Sequence, residues 1–264
     1  MKTKSMFILK TVAILCLVIT GCEKQIQNIE EDSSYPTTIY RLSENTLLEK
    51  RNDFAKRNPN VHTSLNQFGF CAMIEAGGVD GISGGFTEKE AIAAAKEFVA
   101  RNPEYTGVSN PENLKFSKIS SSVGYNNAVF WHIRTENQII NNTEVDYSEI
   151  IFHTQNKVLR MCYGNHFPNI YIPKKFNFDS EQAKSQLLGK EIIHWGWVGP
   201  YSAGIVKKEH LQKSTANLII VPITTEEKIE LHVVWKINID PLSYIFEIDV
   251  MTGEIIREAS TIIS

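Results

Sequence analysis

The clearest periodic stretch begins at Thr87. Ala91, Ile92, Ala95, Phe98 and Val99 recur on one helical face, Thr87 with Glu90 forms a capping box, and Asn102-Pro103 stops the run. A shorter helix is predicted upstream, from a cap at Ser43 to Asn58-Pro59, carrying Leu47, Leu48, Phe54 and Ala55. After the Thr87 helix the period shortens to that of strands over 114–120, 128–134, 145–153 and 157–163, with Gln155-Asn156 as a hairpin turn. The cycle then repeats. Asp179 and Gln182 cap a helix with Ala183, Leu187 and Leu188 that Gly189 ends, and strands follow at 218–222, 229–239 and 244–250, the last closed by Met251-Thr252-Gly253-Glu254. One helix laid across one curled sheet buries the apolar side of both, so the predicted class is α+β with two such units.

The first residues follow another logic. Lys2, Lys4 and Lys10 precede the apolar run Val12 to Ile19, and Thr20-Gly21-Cys22 follows it. A basic start, a short apolar core and small residues make a signal peptide over 1–21, since a stable membrane span needs about 20 apolar residues. Val18-Ile19-Thr20-Gly21-Cys22 resembles the bacterial lipobox, which implies lipidation of Cys22. Two or three acyl chains make membrane attachment durable where one does not. Three lysines and no acid leave with residues 1–21, which takes the formal net charge from −3 to −6. That balance argues against nucleic acid as a partner, which asks for a basic face.

Residues 22–40 are polar, with Glu30-Glu31-Asp32, and read as a flexible tether between lipid and folded chain. Gly77, Gly78, Gly81, Gly84 and Gly85 lack the Lys-Ser/Thr of a phosphate loop and read as a connector, so 41–83 is expected to hold the first helix and that connector. Pro168 and Pro173 interrupt the pattern over 165–178, which reads as a joint between two cores.

Candidate chemistry is sparse. Cys162 with His166, and His153 one hairpin arm away, is the only local Cys/His grouping, but Cys162 lies between Met161 and Tyr163 in a strand and lacks the exposed, electropositive setting of a reactive thiol. The same three residues lack the paired spacing of a zinc site, and His132, His194, His210 and His232 stand singly. Cys71 and Cys162 read either as buried thiols or as a bridge that an exported chain permits. Asp249 and Glu254 flank a turn that they are expected to stabilise. No catalytic residue, metal or cofactor is therefore expected. The most unusual patch is Trp195-Gly196-Trp197-Val198-Gly199-Pro200-Tyr201. Its aromatics serve a contact surface well because they bury area at low entropic cost, which makes Trp195, Trp197 and Tyr201 the candidate partner-binding residues. The alternative is that Trp195 and Trp197 pack inward to extend the second core.

Both cycles resemble the propeptide of thermolysin-type metallopeptidases, an FTP domain followed by a PepSY domain. The first likeness rests on Glu90-Ala91, Phe98-Val99-Ala100-Arg101-Asn102-Pro103, Val129-Phe130-Trp131-His132-Ile133-Arg134 and Gln138-Ile139-Ile140-Asn141-Asn142-Thr143-Glu144-Val145. The second rests on Leu231-His232-Val233-Val234-Trp235-Lys236-Ile237 and on Phe246 through Ile256. The resemblance implies two cystatin-like units, FTP-like over 84–172 and PepSY-like over 173–264. The peptidase motif His-Glu-x-x-His is missing from the chain. The expectation is a non-catalytic lipoprotein of the cell envelope, on the outer membrane if the host is Gram-negative. It would bind protein and inhibit, or help to fold, an extracytoplasmic metallopeptidase in trans. The alternative expectation is an accessory lipoprotein for an extracellular peptide or glycan unrelated to proteases.

Overall fold

Capping chemistry sets the two long helices. The computed structural model describes residues 34–59, 61–76, 87–124, 127–155 and 158–262, so the signal peptide, Cys22 and the glycine connector at 77–85 lie outside the described residues. Helix α1 (Glu44–Arg57) starts where the Ser43 hydroxyl accepts the Thr46 N–H, and α2 (Glu88–Arg101) starts at the Thr87/Glu90 capping box. Both end on a buried asparagine. The Asn58 side chain donates to Phe54 O (3.0 Å) and to Asn102 Oδ1 (2.8 Å), and the Asn102 side chain donates to Phe98 O (2.9 Å) and to Asn58 Oδ1 (3.2 Å). Each amide thus satisfies a terminal carbonyl of its own helix and braces the other helix.

Strands β1 (Thr37–Tyr40), β2 (Val61–Leu65) and β3 (Cys71–Ala76) flank α1, and α2 runs on into the short α3 (Pro103–Thr106). Then come β4 (Phe116–Val123), β5 (Val129–Thr135), β6 (Gln138–Ile140), β7 (Thr143–Val145), β8 (Ile151–Gln155) and β9 (Val158–Tyr163). The second cycle holds α4 (Ser180–Ser185), β10 (Glu191–Gly196), β11 (Gly199–Ile205), α5 (Lys208–Gln212), β12 (Thr215–Thr224), β13 (Lys228–Ile239), β14 (Tyr244–Asp249) and β15 (Ile255–Ser260).

The fold is α+β. Strands β4-β5-β8-β9 form an antiparallel sheet whose inner residues Ile133, Phe152 and Cys162 pack against Ala91, Ala95, Phe98 and Val99 of α2. Phe54 of α1 joins that core, edge-on to Tyr105 at 5.1 Å. The second sheet runs β15-β14-β13-β12-β7-β6, with β1 on β13. Ala183 and Leu187, from α4 and the turn after it, pack on Ile237, Phe246 and Ile248 of this sheet.

Several sequence expectations change. The expected tether over 22–40 is strand in its last four residues, because Thr37–Tyr40 pairs with 228–231 of β13. The strand expected over 145–153 is split into β7 and β8, because Tyr147 turns the chain at φ 56° and the Ser148 hydroxyl donates to Val145 O (2.6 Å). A third core, with Phe68, Phe70, Val145 and Phe167 beside Ile220, Leu231 and Val233, draws on both halves of the chain. Strand β7 pairs parallel with β12 at Glu144/Ile219 and Val145/Ile220, so backbone bonds also cross between the halves. The stretch 165–178 is packed: Gln138 holds both backbone groups of Phe167 (2.8 and 2.9 Å), and Ile170, Ile172 and Phe176 lie against the third core. The described residues, from 34 to 262, form one compact unit.

Candidate functional site

The aromatic segment is a two-stranded ribbon. Strands β10 and β11 pair from Glu191/Ile205 to Gly196/Gly199, leaving Trp197 and Val198 as a two-residue turn. The turn closes because Gly199 takes φ 117°, a conformation that a side chain would resist. Alternation then decides which side chains point where. Ile192 and His194 are buried, so Ile193 and Trp195 face outward.

Trp195 is 74% exposed and Trp197 95% exposed, and Val198 beside them is open to solvent on all sides. The tryptophans therefore do not extend the second core. Burying one tryptophan removes about 150–250 Å² from water, about 4–6 kcal/mol gross, and here that free energy is unused. Ile193 and Ile205 are also exposed on this ribbon. Tyr201 takes a separate place, half exposed and opposite His194, with ring centroids 5.5 Å apart. The structure thus brings Trp195 and Trp197 together at the tip and sets Tyr201 nearer the base. Sequence reading gave Val198 no role, because a turn made of two large apolar residues carries no polar turn signal, and missed Ile193 and Ile205 in the flanking strands.

The base of the ribbon is fixed to the second sheet through His194. Its Nε2–H donates to Leu242 O (3.0 Å), since a carbonyl only accepts, and its Nδ1 lies 2.7 Å from the Ser260 hydroxyl. The ring also packs on Tyr244, and Lys190 just before β10 pairs with Glu258 (2.9 Å). Ser260 and Glu258 belong to β15, an edge strand of the second sheet. A solvent-facing apolar tip, a clamped base and a strand edge that is unpaired among the described residues therefore adjoin one another.

The other sequence candidates are not brought into a site. Cys162 points into the core while His153, one position along β8 from its partner Phe152, lies on the opposite sheet face. Burial, and then the neighbouring Cys71, push the Cys162 thiol well above its ordinary value, and burial raises Cys71 to about 12. Both cysteines are free and buried. Burial also lowers His166 to about 4. Among the described residues no group of three or more His, Cys, Asp or Glu is placed to hold a metal ion, and no helix is long and apolar enough to cross a membrane.

Asp249 does more than the turn role expected of it. Its Oδ1 accepts the Met251 and Thr252 N–H groups (2.8 and 2.9 Å), while its Oδ2 accepts from His232 Nδ1 (2.8 Å) and from the Tyr35 hydroxyl (2.6 Å). Tyr35 also accepts the Val233 N–H (2.9 Å), which pins the chain just before β1 to β13. Burial, and then Asp249, push the Tyr35 hydroxyl far above the ordinary phenol value, so it serves as a donor. Gly253 completes the turn at φ 74°, where a Cβ would lie 2.7 Å from the Phe178 ring.

No family model and no curated relative matches the chain. Among solved structures, the chain is similar to the Bacillus megaterium YpeB C-terminal domain at 12% identity and a TM-score of 0.30. That likeness covers 83% of this chain and 97% of the other.

Proposed function

We propose that this chain is a non-catalytic, lipid-tethered binding protein of the cell envelope that grips a protein partner with the β10–β11 tip. The observation that carries the reading is the outward placement of Trp195 and Trp197 on a ribbon whose base is clamped by His194. Rigid aromatics already held in place lose little entropy on contact, which is what makes tryptophan effective at the centre of interfaces. The partner placed first is an extracytoplasmic metallopeptidase, inhibited or assisted in folding. Strand β15 supports that choice, since it ends its sheet among the described residues, and such an edge can add a strand or meet the extended-peptide cleft of a protease. An extracellular peptide or glycan is the second reading, for which the same exposed indoles would serve.

The test is a photo-crosslinking amino acid at position 198, in the turn beside the two intact tryptophans, in intact cells. The expected result is a discrete protein adduct that mass spectrometry identifies as a peptidase of the envelope. An adduct to another protein or to a glycan would keep the tip as a contact site and discard the peptidase. Absence of any adduct would remove the tip from consideration.

A further inference from the structure

The outer face of the β4-β5-β8-β9 sheet carries a second cluster, independent of the aromatic tip. His132 of β5 and His153 of β8 are cross-strand partners, and their Nδ1 atoms lie 2.5 Å apart with the rings nearly perpendicular at 85°. Tyr163 of β9 stacks on His153 with a 21° tilt. Two residues further along β5 and on the same face, Arg134 is the cross-strand partner of Lys118 of β4. All of these, with Ser120, line one shallow pocket of about 300 Å³.

The charges in that pocket share one sign. Like charges directly opposite on neighbouring strands are destabilising, and two imidazole nitrogens at 2.5 Å have room for only one proton between them. Glu149 lies 3.5 Å from Arg134, and among the described residues no acid lines the pocket itself. Among the described residues Lys118 has no ion-pair partner. Arg160 of β9 adds a further positive group on this face, its Nε donating to Gln155 Oε1 (2.8 Å), while Ser120 from β4, Ile151 from β8, and Met161 and Tyr163 from β9 are uncharged.

We infer that this pocket binds an oxyanion of the phosphate or sulfate type, held by Lys118, Arg134 and the His132–His153 pair. The anion would separate the two imidazoles and give each a partner for its N–H, and Lys118 and Arg134 would then face an opposite charge instead of one another. Binding therefore takes up protons, and affinity rises as the pH falls. Partial burial first, and then His132, already lower the His153 value, which leaves it room to rise when the anion arrives. The sequence hides this cluster, since His132 and His153 become neighbours only through strand register.

The probe is inorganic sulfate, whose charge stays constant over the range used, titrated calorimetrically into the full chain in detergent. The dissociation constant at pH 5.5 is expected to be about tenfold lower than at pH 7.5, the effect of about half a proton taken up on average over the two units. His132→Gln with His153→Gln should abolish that pH dependence, and Lys118→Ala should weaken binding at both pH values. Independently of any variant, sulfate added at pH 6.5 should move the wild-type His132 and His153 imidazole resonances toward the protonated form. Displacement of sulfate by phosphatidylglycerol vesicles but not phosphatidylcholine vesicles would assign the anion to a lipid headgroup, and a lack of displacement to a soluble ester. Equal or undetectable sulfate binding at the two pH values would overturn the proposal. So would Zn²⁺ binding lost in the histidine variants without any effect of sulfate, which would make the pair a metal site.

Discussion

Replacing Asp249 with alanine is expected to destabilise the fold by about 3–5 kcal/mol, because it leaves several buried donors without an acceptor at once. His232 Nδ1, the Tyr35 hydroxyl and the N–H groups of Met251 and Thr252 all point at this one fully buried carboxylate. Burial alone would raise Asp249, but the hydrogen bonds from His232, Tyr35, Thr252 and Met251 outweigh it and hold the group below the ordinary carboxylate value. A depressed carboxylate contributes stability that is present above its unfolded value, about 3.9, and is lost as the pH falls through the folded value. Thermal melts of wild type and Asp249→Ala should therefore differ most near neutral pH and converge below about pH 4. Asp249→Asn keeps an acceptor for the turn and should fall between them. A gap that stays constant down to pH 3 would mean that the carboxylate charge contributes nothing.

The second large effect lies where the two halves of the chain meet. Arg257 of β15 donates from Nε and Nη2 to the buried Glu247 (2.7 and 2.8 Å), and Nη2 also reaches Asp146 from the first half (3.0 Å). Its guanidinium lies over the Tyr147 ring at 4.9 Å. Arg257→Ala should cost about 3 kcal/mol, mostly because the Glu247 carboxylate stays buried without its counter-charge. Arg257→Lys should recover only part, since an ammonium cannot make the forked contact. Removing both charges, as Arg257→Met with Glu247→Leu, should be less harmful than Arg257→Ala alone. Chemical denaturation of the variants measures this directly, and additive losses in the double variant would show that the two residues do not act as a pair.

Local rules and long-range rules divide what the sequence discloses. The helices α1, α2 and α4 were legible because their caps are written in residues three positions apart: Ser43/Thr46, Thr87/Glu90 and Asp179/Gln182. Strands β12, β13 and β14 were legible because their length sustains an apolar pattern. Strand β1 was not, since four residues after a polar run carry no alternation, and its support comes from β13, nearly two hundred residues later. The parallel step from β7 to β12 rests on two residue pairs and leaves no local trace. At the tip, the residue types of Trp195, Trp197 and Tyr201 marked the segment as unusual. Whether the indoles faced in or out depended on which of His194 and Trp195 was buried, and hydrophobicity alone favours burying the tryptophan. The Ser260 and Leu242 contacts of His194 decide it the other way.

The central claim is that Trp195 and Trp197 serve contact and not folding. Its most direct measurement compares wild type with Trp195→Ala/Trp197→Ala in two readings on the same preparation, the thermal midpoint and the affinity for the protein captured at position 198. Exposed substitutions usually change stability by about 0.5 kcal/mol or less, so the midpoint should stay within about 2 °C. Loss of two central aromatics should weaken binding by about a hundredfold or more. A variant that melts well below wild type, or that binds the captured protein as tightly as wild type, would contradict the account.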